Sequence, residues 1–170
     1  EHAVAMTFAA AKRLVVEHEK LKRGEFDQFL PNRTLTGAVC GILGFGGVGL
    51  ATAWRMKGLG LKVHAINRRG VGSPHVDWMG RPEQTDELLA ASDVLVVAVP
   101  LSERTDGMIG VRALGLMKKD AILVNLARGE VVDEAALYAH LVANSGFTAC
   151  IDAWWIEPVR HGRFAMGYGF

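Results

Sequence analysis

The stretch GILGFGGVG, residues 41–49, narrows the folds open to this chain more than any other. It sets Gly44, Gly46 and Gly49 in the spacing G-x-G-x-x-G, after an apolar run at 38–43 and before a helix-compatible stretch at 47–57 that meets stop signals at Gly58 and Gly60. In a strand–turn–helix setting each glycine has its own task. The first makes the tight turn, the second lets the backbone approach a pyrophosphate, and the third lets helix and strand pack closely. The helix then aims free N–H groups and the positive end of its dipole at the phosphates. Glycines at this spacing can also do no more than turn a corner, so the reading depends on the rest of the chain.

Beyond Gly60 the same strand–helix alternation repeats. Apolar runs at 61–66, 94–99, 121–126 and 147–151 read as strands, and stretches at 85–90, 109–117 and 133–143 read as helices, with a Gly/Pro-rich loop at 67–82. The runs are continuously apolar, as in DVLVVAV, which is expected of strands covered on both faces. The predicted fold class is therefore α/β, a Rossmann-type doubly wound parallel sheet with helices on both faces in three α/β/α layers. Five strands in the order 3-2-1-4-5 would hold Cys40 and Cys150 two strands apart, about 9.5 Å, beyond the ~7 Å a disulfide spans. Both cysteines then read as buried thiols in a reducing compartment, and the expected location is cytoplasmic.

Residues 1–23 carry Val4, Phe8, Ala11, Val15 and His18 at steps of three and four, which predicts one long amphipathic helix, and 24–36 reads as a connector. At 170 residues the chain suits one domain, divided into 1–36, a leading helix with its connector, and 37–170, the dinucleotide-binding unit. The leading helix must bury its apolar face against its own sheet or against the same helix of a second copy, so a homodimer is a candidate assembly. Its apolar stretch at 3–11 is too short to span a bilayer, and its cations follow rather than precede it, so neither a membrane anchor nor a signal peptide is expected. With 19 Lys plus Arg against 18 Asp plus Glu, the chain lacks the cationic excess that gripping nucleic acid requires. Nothing has the spacing of metal ligands.

In such folds a residue about twenty positions beyond the loop, at the end of the second strand, meets the adenosine ribose, and an acidic residue there favours NAD. That place falls on Asn67, followed by Arg68 and Arg69. The carboxylate that would repel a 2′-phosphate is absent, and two guanidinium groups stand ready for one, so NADP(H) is favoured over NAD(H). A solvated basic turn is the alternative.

Val99 and Pro100 close the third predicted strand, Leu126, Ala127 and Arg128 follow the fourth, and Asp152 follows the fifth, all at the edge where open α/β sheets bind ligands. Arg128 could present its fork to a carboxylate, or make an ordinary surface ion pair. Here the chain resembles the D-isomer-specific 2-hydroxyacid dehydrogenases, through EHAVAMTFAAAKR, GILGFGGVG, VPLSERTDGMIG, VNLARGEVVDEAAL and DAWWIEP. The resemblance implies that Gly47 and Val48 lie under the pyrophosphate, that Asn67, Arg68 and Arg69 hold the adenosine end, and that Pro100 and Thr105 line the cofactor groove. It also implies that Asp152 contacts the nicotinamide carboxamide, that Arg128 binds a 2-oxo acid, and that Glu157 pairs with a catalytic histidine. In the family that histidine lies well beyond the Glu-Pro pair, and the sequence reaches Phe170 without it; His161 reads as a loop histidine. The expectation is a coenzyme domain without the substrate domain, inactive alone. A nucleotide-sensing interaction module and a methyltransferase on a similar sheet are the competing readings. In the resembling family, the leading helix packs against a second subunit.

Overall fold

Behind the glycine loop the apolar run forms β1 (Val39–Leu43), with four of its five residues buried. The computed structural model describes residues 1–26, 28–29 and 32–157. Five further strands join β1: β2 (Lys62–Ile66), β3 (Trp78–Gly80), β4 (Val94–Val97), β5 (Ile122–Asn125) and β6 (Thr148–Ile151). All neighbours pair in parallel, in the order β3-β2-β1-β4-β5-β6. The helices are α1 (His2–Ala11), α2 (Leu14–Lys22), α3 (Gly47–Gly58), α4 (Thr85–Ala91), α5 (Val111–Leu116) and α6 (Glu134–Ala143).

Alternate residues of the same strands feed two cores, because side chains leave a strand on opposite faces. Cys40, Ile42, Val63, Val96 and Val124 pack towards α1 and α3. Leu43, Leu95, Val97 and Leu123 pack towards α4, α5 and α6. The three-layer α/β/α architecture expected of continuously apolar strands is what the chain adopts.

The structure corrects three details. The loop expected at 67–82 contains β3, so the sheet has six strands, and the strand at 94–97 stands directly beside β1 instead of beyond the second strand. Three residues on an edge, one of them glycine and with Pro82 soon after, leave too little period-2 pattern to read. Cys40 and Cys150 are consequently three strands apart rather than two, about 14 Å at the usual spacing, and both are free. Burial pushes the Cys40 thiol up to about 12, so it is inert as a nucleophile near neutral pH.

The leading helix is the third correction. It breaks at Arg13, whose backbone is left-handed at φ 53°, into α1 and α2. The residues of α1 that are fully buried are the small Ala3, Thr7 and Ala11, which let the helix lie close against β5 and β6, while Val4 and Phe8 are half-buried. Whereas α1 packs on β5 and β6, α2 packs chiefly on α1. Val15 and His18 are exposed, and α2 buries no side chain.

Candidate functional site at the strand ends

A parallel sheet gathers all its strand C-termini on one edge, and the chain changes direction across the sheet between β1 and β4. That reversal is where open α/β folds make a crevice. A groove of about 470 Å³ opens there, and Val48, Val99, Pro100, Leu126, Ala127 and Arg128 all line it. Six predicted site residues from three separate segments are thus brought to one place. Thr105 is not among the lining residues; its hydroxyl accepts from the Ser102 N–H at 2.8 Å and donates to the Pro100 carbonyl at 2.7 Å, so it holds the loop that forms one wall. A larger concavity, about 590 Å³ between α4 and α5, contains none of the predicted residues.

The four glycines of the loop divide sharply. Gly44 has φ +99°, and a Cβ on it would stand 2.7 Å from the Ala98 carbonyl oxygen. A Cβ on Gly49 would overlap the carbonyl oxygen of Gly44. The fold itself therefore demands glycine at both. At Gly46 and Gly47 a Cβ would meet nothing within 4 Å, and neither needs a left-handed backbone. Gly46 is the N-cap of α3 and offers no side-chain cap to its first N–H groups. The loop thus leaves an uncrowded approach to unsatisfied backbone donors, which is a cradle suited to a pyrophosphate.

At the end of β2, Asn67 organises the basic turn. Its side-chain oxygen accepts the Arg69 N–H at 2.9 Å and the Val71 N–H at 3.3 Å, and its amide donates to the Val71 carbonyl at 2.9 Å. Arg68 and Arg69 are exposed, and neither forms an ion pair among the described residues.

The segments after β5 and β6 are built against each other. A Cβ on Gly129 would overlap the backbone of Trp154 and Trp155, so glycine there lets the two segments touch directly. The Trp155 indole donates to the Val132 carbonyl at 2.7 Å, and Glu157 accepts the Trp154 N–H at 3.1 Å. Arg128 donates to the Ala127 carbonyl at 2.7 Å and pairs with no carboxylate among the described residues, so the alternative of a surface ion pair is not realised there. Two organising residues were not legible as such. Buried Asn125 accepts the Ala127 N–H at 3.1 Å and donates to the Arg128 carbonyl at 2.9 Å, fixing the turn that carries Arg128. His2, at the start of α1, meets the Asp152 carboxylate at 3.2 Å. An amide closing an apolar run was a signal for the first; a contact across the length of the chain left none for the second. His161 lies outside the described residues.

Among the described residues there is no cluster able to hold a metal ion, and no helix is long and apolar enough to cross a membrane. The sequence profile of the D-isomer specific 2-hydroxyacid dehydrogenase NAD binding domain matches residues 4–166. A D-3-phosphoglycerate dehydrogenase of Archaeoglobus fulgidus is 37% identical over 161 residues, covering 93% of this chain and 30% of that protein. A glyoxylate reductase of Thermococcus gammatolerans is 36% identical over 167 residues, covering 93% of this chain and 50% of that protein. Among solved structures, a glycerate dehydrogenase related protein from Thermoplasma acidophilum superposes with a TM-score of 0.86 at 35% identity, over 93% of this chain and 55% of the other. The chain thus spans half or less of these two curated relatives. A cradle for a dinucleotide at the switch point of a parallel sheet, and a profile match over nearly the whole sequence, lead to one assignment: this chain belongs to the D-isomer specific 2-hydroxyacid dehydrogenases, as their NAD-binding domain.

Proposed function

We propose that the chain is the coenzyme-binding part of a dehydrogenase that moves hydride between NADP(H) and a small 2-oxo or 2-hydroxy acid. The observation that carries the coenzyme site is the open space at Gly46 and Gly47 beside the sterically required Gly44 and Gly49. Two of the four glycines are needed by the fold, and the other two are explained by a ligand. Gly46, Gly47 and Val48 hold the pyrophosphate, Asn67 with Arg68 and Arg69 the adenosine end, and Val99, Pro100, Leu126 and Ala127 the walls of the groove, with Thr105 bracing one wall. Asp152 orients the nicotinamide carboxamide.

When bound, the coenzyme supplies or accepts the hydride. The residues of this chain do the rest of what it contributes. Arg128, free of any described carboxylate, offers its guanidinium to the carboxylate of the acid and to the carbonyl oxygen as that oxygen gains charge. Glu157 favours the protonated form of a catalytic histidine, which keeps a proton ready for the same oxygen. The 170 residues alone are expected to bind coenzyme with little turnover, because they span half or less of the length of the two curated relatives. Residues 37–170 form the coenzyme unit and 1–36 its leading segment.

Preference for NADP(H) rests on the unpaired Arg68 and Arg69 and on the absence of an acidic residue at Asn67. Titration followed by amide chemical shifts tests the site. NADPH should move Gly46–Gly49, Asn67, Val99 and Leu126–Arg128; shifts confined to other regions, or the same shifts with S-adenosylmethionine instead, would refute it. A sensor reading is weakened by an Arg128 guanidinium that pairs with no described carboxylate, and would gain if Arg128→Ala in a chain that reduces 2-oxo acids left that reduction intact. The proposed location is cytoplasmic, the two free thiols suiting a reducing compartment.

A further inference from the structure

The unforeseen strand β3 ends beside the basic turn. Gly80 pairs with Ile66, the last residue of β2, and its carbonyl accepts the Asn67 N–H at 3.2 Å. The next residue is therefore a lateral neighbour of the turn, and it is Arg81. Its stem lies across Gly70, where an added Cβ would stand 3.0 Å from the Arg81 Cγ and 3.1 Å from its Nε. Gly70, at φ +64°, closes the turn that carries Arg68 and Arg69. Three arginines, two in sequence and one brought by the sheet, thus follow the adjacent ends of β2 and β3.

None of the three is neutralised. Arg68, Arg69 and Arg81 are all exposed, and no described carboxylate forms an ion pair with any of them, although Glu83 lies only two residues beyond Arg81. Elsewhere in the molecule exposed arginines do find partners: Arg112 makes a two-pronged pair with Asp86, and Arg23 pairs with Glu25. Like charges held together without a counter-ion repel one another, and a doubly charged phosphate relieves that repulsion while giving each fork an acceptor.

We propose that Arg81 is a specificity-determining residue, a third guanidinium that grips the 2′-phosphate of NADP(H) from the β3 side. The proposal rests on the NADP(H) reading of Arg68 and Arg69 and extends it to a residue outside the turn. Gly70 is already required by its left-handed backbone at φ +64°, and the absence of a side chain there leaves the Arg81 stem room to lie against the turn.

Affinities of the whole chain for 2′,5′-ADP, 5′-AMP, NADPH and NADH test it in the wild type, in Arg81→Gln and in Arg81→Lys. In the wild type, 2′,5′-ADP and NADPH should bind more tightly than 5′-AMP and NADH. Arg81→Gln should weaken the two 2′-phosphorylated ligands about 10- to 100-fold and leave the other two within about twofold, the loss of one charge-assisted pair. Arg81→Lys should restore part of the difference. If the wild type discriminates and Arg81→Gln keeps the same ratio, or weakens all four ligands alike, Arg81 is not a selector and the NADP(H) reading survives without it. A wild type that binds 5′-AMP as tightly as 2′,5′-ADP overturns both. If Arg81→Gln fails to fold, Arg81→Met keeps the stem over Gly70 and gives the same readout.

Discussion

Alanine at Gly49 and alanine at Gly46 should fail in different ways, and the difference separates what the fold needs from what a ligand needs. At Gly49 the new methyl group overlaps the Gly44 carbonyl, so α3 must move off the loop, at a cost of about 1–3 kcal/mol in stability as well as loss of coenzyme binding. At Gly46 the methyl group meets no protein atom, so Gly46→Ala should melt within a degree or two of the wild type yet bind NADPH at least ~10-fold more weakly, because only the pyrophosphate is crowded. Thermal unfolding and titration of the two variants check this; a Gly46→Ala chain with unchanged affinity would contradict the cradle. Arg68 and Arg69 belong to the same scale. Replacing both with Gln should cost NADPH about 10- to 100-fold and NADH little, measured as a ratio of dissociation constants.

At the scale of elements, the edge of the sheet opposite the site is fastened by two aspartates. Asp77, just before β3, accepts the Val63 N–H at 2.8 Å and Lys57 at 2.7 Å; Asp93, just before β4, accepts the Val39 N–H at 2.8 Å and Lys118 at 2.8 Å. The Lys57 hydrogen bond, then the Val63 N–H, hold the Asp77 carboxyl below its ordinary value. For Asp93 burial pushes upward, but Lys118 and the Val39 N–H together outweigh it and the net direction is also down. Stability from these groups is present above the usual carboxylate range and lost as pH falls through their lowered values, below about 4. Asp93→Asn should lower the urea midpoint at neutral pH by the equivalent of ~1 kcal/mol and flatten the acid limb of the stability curve; an unchanged acid limb would contradict the pairing. The elements were unequally legible. Runs such as 94–97 and 122–125 announce themselves because both faces are covered, whereas Trp78–Gly80 is an edge strand too short for a pattern. The His2–Asp152 contact and the approach of Arg81 to Gly70 are tertiary facts that no contiguous stretch of sequence marks. The glycine loop, the basic turn and Arg128 could be read because each is contiguous.

At the scale of the molecule, α1 settles its apolar face on its own sheet, and what stays uncovered lies beyond it. Leu14, Val15 and Leu21 are 58%, 72% and 58% exposed, and Phe26 is 78% exposed. We propose that a second copy of the chain meets these exposed side chains through α2 rather than through α1. Sedimentation at micromolar concentration should show a dimer that Leu14→Glu with Val15→Glu dissociates; a wild-type chain that stays monomeric removes the proposal. Dimer or monomer, the proposed coenzyme site draws on one chain alone, since the glycine loop, the basic turn and the groove walls all come from residues 44–128. Calorimetric titration of the wild-type chain with NADPH and with NADH is the most direct measurement of the central claim. One saturable site per chain, with NADPH about 10-fold or more the tighter, is the expected result; no saturable binding of either, or tighter binding of NADH, would contradict it.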